Sequence, residues 1–215
     1  MKVLLFGATG AAGGAVLTAC LKASVVAEVR AITRKPLTIT QAKLRNILQS
    51  DYRDYSAIAT EFEDVDACLF CLGVSITKVS KDEYQKITHD FTLAAARTLL
   101  ARSPNAAFHY ISGQGTRPDS RMFWSQVKAR TELELMDLIG ADCWRPAFID
   151  TPPSHSFPRI FSFIYPVLRL LKPFKSLYVH GEDLGRAMLQ ATLENLRKRI
   201  IENPEIRAIA ARAKS

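Results

Sequence analysis

No apolar run in this 215-residue chain approaches the roughly 18 to 20 residues that a membrane-spanning helix needs. Cysteine is scarce. Cys20, Cys68, Cys71 and Cys143 are the four, all in apolar surroundings, which argues against a disulfide-stapled scaffold and for reduced thiols in a cytoplasmic protein. There is no low-complexity block and no internal repeat, so solenoid and fibrous architectures are excluded. The apolar run after Met1-Lys2 stops at Gly7, too short for a secretory signal, so a mature intracellular start is expected. Histidines 89, 109, 155 and 180 show no metal-ligand spacing. The one C-x-x-C, Cys68 to Cys71, falls in the strand-like run 67–72. Residues three apart there point to opposite faces, so it reads as structural rather than as a metal or redox pair.

Positive charge, by contrast, is in excess. Twenty-nine Lys and Arg against 21 Asp and Glu give a formal net charge of +8, which asks for an anionic partner. Much of the excess lies near the end, in Arg197, Lys198, Arg199, Arg207, Arg212 and Lys214, where a solvated helix face or tail is the ordinary reading. No nucleic-acid-binding motif accompanies these residues, so no specific nucleic-acid partner is expected. A phosphorylated small molecule satisfies the charge equally well.

Apolar strand-like runs at 3–6, 29–33, 45–48, 67–72, 107–112 and 142–146 alternate with segments of helical spacing. In 81–101, Tyr84, Ile87, Phe91, Ala94, Ala95, Thr98 and Leu99 fall on one helical face. In 183–199, Leu184, Ala187, Met188 and Ala191 do the same behind acidic residues suited to a helix start. The pattern predicts an α/β fold: one Rossmann-type domain over 1–215, a doubly wound parallel sheet with a small substrate-side subregion at 150–180. The apolar, proline-punctuated segment 156–174 is expected to wall a pocket; its interspersed cations leave peripheral membrane contact as the alternative.

Such a sheet binds ligands at the carboxyl ends of its strands. After the first strand stands Gly7-Ala8-Thr9-Gly10-Ala11-Ala12-Gly13, opening a helix. Glycines at 7, 10 and 13 let backbone N–H groups approach a pyrophosphate at the positive end of that helix. After the second strand, an NAD site usually carries an acid for the ribose 2′-hydroxyl. Here Thr33 is followed by Arg34 and Lys35, which suit a 2′-phosphate, so NADP(H) is expected over NAD(H). Glu28 stands before the strand, at its wrong end for the ribose.

With GATGAAG at 7–13, TRK at 33–35, QSDYRD at 49–54, CLG at 71–73, ISG at 111–113, WSQVK at 124–128, RPAFI at 145–149 and HGEDLGRAM at 180–188, the chain resembles the atypical short-chain dehydrogenase/reductase superfamily. Within it, the chain is most similar to NmrA-like and HIV-Tat-interacting-protein-like oxidoreductases. The resemblance implies that Asp51 and Tyr52 border the adenine and that Leu72 and Gly73 pack beside the ribose. It implies Ser112 at the nicotinamide end, Lys128 on the nicotinamide ribose, and Arg145 and Pro146 leading to the substrate side. Structural alternatives are an N-cap for Asp51, a strand-end turn for Ser112-Gly113 and a helix-surface cation for Lys128.

One departure matters. Active members carry Tyr-x-x-x-Lys, and position 124 is Trp, whose indole N–H donates but has no useful acidity. Lys128, or water held by Ser112, would then handle the proton as catalytic groups. Otherwise a flavin-like acceptor needs no protein acid, or no turnover occurs. Two functions are compatible with this: reduction of a small apolar carbonyl, quinone or flavin-like substrate, or non-catalytic NADP(H) binding as a redox sensor, regulator or assembly factor. Monomer or homodimer is expected.

Overall fold

The computed structural model describes residues 1–151, 174, 176–197 and 199–213. Seven strands form one parallel sheet: β1 (Lys2–Phe6), β2 (Glu28–Thr33), β3 (Leu44–Leu48), β4 (Ala67–Phe70), β5 (Ala107–Ile111), β6 (Asp142–Arg145) and, last in the chain, β9 (Arg199–Glu202). Their order is β3-β2-β1-β4-β5-β6-β9. The chain therefore runs outward from β1 to β3, then crosses back to β4 on the other side of β1. That reversal puts the switch point between β1 and β4. Two short strands, β7 (Phe148–Asp150) and β8 (Tyr178–His180), pair in parallel beside the sheet. The expected doubly wound parallel fold is the one that forms.

Strand periodicity sorts the core into two layers. Val3, Leu5, Ala67, Leu69 and Cys71 face one side, with helices α1 (Ala11–Lys22), α5 (Gly181–Leu193) and α6 (Asn203–Arg212). Leu4, Phe6, Cys68 and Phe70 face the other, with α3 (Phe91–Arg102) and α4 (Phe123–Ile139), and the short helix α2 (Lys81–Gln85) meets α4 through Tyr84 and Phe123. Cys68 and Cys71 thus lie on opposite faces, as expected, and burial pushes both thiols up, out of reach of neutral-pH ionisation.

Helices α1 and α5 meet through small residues. A Cβ on Gly181 would stand 2.6 Å from the Ala15 Cβ, and one on Gly185 would stand 2.6 Å from the Ala19 Cβ. The two backbones approach closely only because these positions carry nothing larger.

Two helix expectations need correction. The segment 81–101 is helical, but Lys86–Asp90 makes a π turn that inserts a residue and rotates the succeeding helix α3 about its axis. Thr88, Thr92, Ala95, Ala96 and Leu99 therefore turn fully inward, while Ile87, Phe91, Ala94 and Thr98 are only half-buried. The helix expected over 183–199 ends at Leu193, and Asn195, with φ 52°, turns the chain into β9. Glu28 is the first residue of β2 rather than the one before it. It still stands at the amino end, where it pairs with Arg30 at 3.0 Å.

The basic end of the chain is less free than a tail. Arg197 donates to the carbonyls of Ala106 and Asn105, Arg199 pairs with Glu205, and Arg212 with Glu194. Lys198 and Lys214 lie outside the described residues, as does the expected pocket wall 156–174 apart from Phe174.

Candidate functional site

At the carboxyl end of β1 the chain turns through Gly7, whose φ of +78° is the left-handed region that disfavours any side chain. There is no room for one either. A Cβ at Gly7 would stand 2.6 Å from the Cys71 carbonyl oxygen and 2.7 Å from the Leu72 nitrogen. This contact brings the ends of β1 and β4 together at the switch point, with Leu72 beside the turn and Gly73 following it in the chain. The Gly10 N–H donates to the Gly7 carbonyl at 2.9 Å and closes the turn. Gly10 then caps α1 with no side chain over the first amides, so N–H groups at the start of the helix face outward. Gly13 packs directly on the turn: a Cβ there would be 2.1 Å from the Gly7 oxygen. Thr9 and Gly10 are exposed, and Ala11 and Ala12 half-buried. The result is a helix start whose main-chain donors are uncapped, the polarity that an anionic group such as a diphosphate requires.

At the end of β2, Arg34 and Lys35 are both exposed, and neither pairs with a carboxylate among the described residues. Arg34 lies close enough to Tyr52 for its charge to oppose the rise that burial imposes on that phenol. Tyr52 stacks on Phe91 at 5.7 Å and meets Phe6 and Tyr55 edge-on, so it forms a wall beneath the rim. Asp51 accepts from the Arg53 amide at 2.9 Å and binds its guanidinium through both oxygens. Those bonds hold its carboxyl down at about 2. It closes its own turn rather than capping a helix.

At the end of β5, Ser112 is buried. Its amide donates to the Trp144 carbonyl at 2.7 Å, and its hydroxyl lies 3.1 Å from that of Thr116. Lys128 reaches back from α4 and donates to the Ser112 carbonyl at 2.8 Å and the Ile111 carbonyl at 3.3 Å, over the Tyr110 ring. It is not a surface cation. Burial lowers its ammonium to about 8, with Glu132 pulling in the other direction. Trp124, one turn earlier on α4, gives its indole N–H to the Met122 sulfur at 3.2 Å and lies over Gly115.

Of the tyrosines that could replace the missing phenol, none among the described residues is hydrogen-bonded through its hydroxyl to Ser112 or Lys128. Tyr110 is wholly buried and Tyr178 donates to Asp150, while Tyr165 lies outside the described residues. His109, on the far face from Ser112, lies between the Trp144 indole N–H and the Thr192 hydroxyl. The indole can only donate, so it fixes Nδ1 as an acceptor, and burial holds the imidazole down at about 3.

The structure thus brings the glycine turn to Cys71 and Leu72, and Lys128 to Ser112. Arg145 it directs elsewhere: the guanidinium forks onto both oxygens of Glu132, at 2.9 and 2.6 Å, and reaches Glu202 at 3.0 Å. Pro146 contributes its carbonyl to the Gln114 amide. Sequence reasoning missed Asn46, whose side chain fastens the Arg34-Lys35 turn, and Thr116 beside Ser112. An asparagine inside a strand, where that residue is depleted, was the available signal for the first.

Sheet order, switch point and glycine turn define a nucleotide-binding type of Rossmann fold, and the solved structures agree on the fold. An oxidoreductase of the short-chain dehydrogenase/reductase family from Burkholderia thailandensis superposes with a TM-score of 0.71 at 14% identity, covering 96% of this chain and 92% of that one. MoeE5, solved with UDP-glucuronic acid and NAD, gives 0.71 at 15% identity, covering 94% and 76%. No protein-family model matches the chain.

Among curated proteins, leucinostatins biosynthesis cluster protein T of Purpureocillium lilacinum is 29% identical over 141 residues, 64% of this chain and 52% of that protein. HTATIP2 of Rattus norvegicus is 27% identical over 140 residues, 64% and 57% respectively. The match therefore spans little more than half the length of these relatives. The resemblance to the atypical short-chain dehydrogenase/reductase superfamily, read from the motifs, is borne out.

Proposed function

We propose that the protein binds NADP(H) along the carboxyl edge of the sheet and uses it to reduce a small, largely apolar carbonyl, quinone or flavin-like substrate. The observation that carries this reading is the uncapped start of α1 behind Gly7–Gly13, with two exposed cations at the next strand end that have no carboxylate partner among the described residues. Backbone donors at the helix start would hold the diphosphate, and Arg34 with Lys35 the 2′-phosphate. Leu72 and Gly73 would line the ribose, and Ser112 and Lys128 the nicotinamide end. The bound dinucleotide would supply the hydride. Lys128 would orient the ribose and, with Ser112, hold the proton-carrying water near the acceptor.

Arg34→Ala/Lys35→Ala is expected to weaken NADPH about tenfold to a hundredfold in a fluorescence titration, with NADH nearly unaffected. Equal losses for both nucleotides would refute the 2′-phosphate assignment.

The pH dependence has a defined sign. Lys128 carries its proton below about 8 and gives it up above. If its ammonium acts in turnover, kcat falls as pH rises through about 8, and Lys128→Met abolishes that limb. A kcat unchanged in Lys128→Met would remove the lysine from the chemistry.

A second reading rests on Trp124, which occupies the proton donor's place with an N–H bonded to sulfur. On it, the protein binds NADP(H) as a redox sensor, regulator or assembly factor. Tight NADPH binding with no turnover across carbonyls, quinones and flavins would favour that reading. No helix among the described residues is long and apolar enough to cross a membrane. Our reading keeps the protein in the cytoplasm, although one relative, of Saccharomyces cerevisiae, is named as mitochondrial; cell fractionation decides.

A further inference from the structure

Arg34 and Lys35 sit on a turn whose backbone is tied down from a neighbouring strand. Asn46, on the edge strand β3 and in register with Ala31, donates through Nδ2 to the Ala31 carbonyl at 2.9 Å and to the Thr33 hydroxyl at 2.7 Å. Its Oδ1 accepts from the Leu37 amide at 2.8 Å. The Thr33 hydroxyl passes its own proton to the Lys35 carbonyl at 2.7 Å. The donors and acceptors form one consistent chain. Both Nδ2 protons, Oδ1 and the single hydroxyl proton each have a partner, and a flipped amide would set Oδ1 against the Ala31 carbonyl.

These bonds hold the backbone at Ala31, Lys35 and Leu37, on both sides of Arg34. Nothing in the network touches either cationic head group, and neither pairs with a carboxylate among the described residues. Charged side chains of this length lose much conformational freedom when they grip an anion. A pre-set backbone removes part of that cost. A loose turn would keep both charges and lose their placement.

We propose that Asn46 is a positioning residue for nucleotide specificity: by fixing the 33–37 turn from β3, it sets how strongly the protein prefers a dinucleotide bearing a 2′-phosphate. This rests on the reading of Arg34 and Lys35 as the 2′-phosphate clamp. Thr33 acts as its relay, and the diphosphate and nicotinamide ends of the site are outside its reach.

The test is a titration of NADPH and NADH against the wild-type protein, Asn46→Ala, Asn46→Asp, Thr33→Val, Arg34→Ala/Lys35→Ala, and the last combined with Asn46→Ala. Asn46→Ala should lose about tenfold in NADPH affinity and no more than about twofold in NADH. Asn46→Asp should not rescue it, because a carboxylate cannot donate to the Ala31 carbonyl. Thr33→Val, which removes the relay to Lys35 together with the hydroxyl that accepts from Asn46, should move the ratio the same way and provides the reading if the Asn46 variants fail to fold. With both cations gone, Asn46→Ala should leave the NADPH-to-NADH ratio where it was.

An intact ratio in Asn46→Ala or Thr33→Val, or equal losses of both nucleotides, overturns the assignment of Asn46 alone. So does a further fall in ratio once the cations are removed. Equal binding of NADPH and NADH by the wild-type protein overturns the 2′-phosphate reading itself, and this inference with it.

Discussion

Replacing Gly13 by alanine is expected to abolish dinucleotide binding and to destabilise the fold. The added methyl would lie 2.1 Å from the Gly7 carbonyl oxygen, 2.6 Å from its carbon and 3.1 Å from the Ala8 nitrogen. All three are backbone atoms, and the Gly7 end is already pressed against Cys71 and Leu72, so the turn has nowhere to retreat. Helix α1 must move off β1 instead, carrying its first amides away from the diphosphate. Overpacking of this kind costs about 1–3 kcal/mol or more, and affinity should fall at least a hundredfold, roughly 2.7 kcal/mol. Urea unfolding and an NADPH titration measure the two effects separately. Gly10→Ala is the graded control: its methyl meets only the Gly7 oxygen, at 3.3 Å, so the fold should stand while binding weakens. A Gly13→Ala protein with wild-type stability would refute the contact.

The glycine turn was legible in the sequence because its constraint is local. Three glycines between an apolar run and a helix start leave few other uses. Six sheet strands were legible for the same reason, as short apolar runs at regular spacing. What failed depended on partners distant in the chain. The helix expected over 183–199 takes in Arg199, with no strand expected after it, yet Arg199–Glu202 forms the seventh strand, because β6 offers an open edge to pair with. The π turn at Lys86–Asp90 is invisible to helical periodicity, which assumes a constant advance per residue. That Arg145, which the resemblance implies leads to the substrate side, is tied to Glu132 was not legible, because its partner belongs to a different element and only the folded sheet brings α4 over β6. Asn46 gave a compositional hint, without the turn that its amide holds.

The second large effect concerns that ion pair. Glu132 is 1% exposed, and both its oxygens are taken by the Arg145 fork. Arg145→Met removes the cation and leaves a carboxylate without water, a loss of about 3–5 kcal/mol. For a chain of this length the melting temperature should fall on the order of 10 °C. The double variant Glu132→Leu/Arg145→Met should recover most of that loss, since burying the pair at all is costly and apolar replacements pack as well. Differential scanning calorimetry on the single and double variants checks this. A single variant within about 1 kcal/mol of wild type would mean that Glu132 finds water or a proton readily. The double variant carries a second consequence. Glu132 is the carboxylate that favours the charged form of Lys128, so its loss should leave that ammonium easier to deprotonate.

The close seat between α1 and α5 bears on how the protein is made. The helix that opens the glycine turn rests its Ala15 and Ala19 against Gly181 and Gly185. These come from the two ends of the described chain, so the pairing is a long-range one that must wait for α5 to leave the ribosome. Until then the small-residue face of α1 is uncovered, and this helix, synthesised well before α5, is locked in place late. A ligand that grips the start of α1 would act on the nascent chain as a folding template, favouring the seated helix before its permanent neighbour arrives.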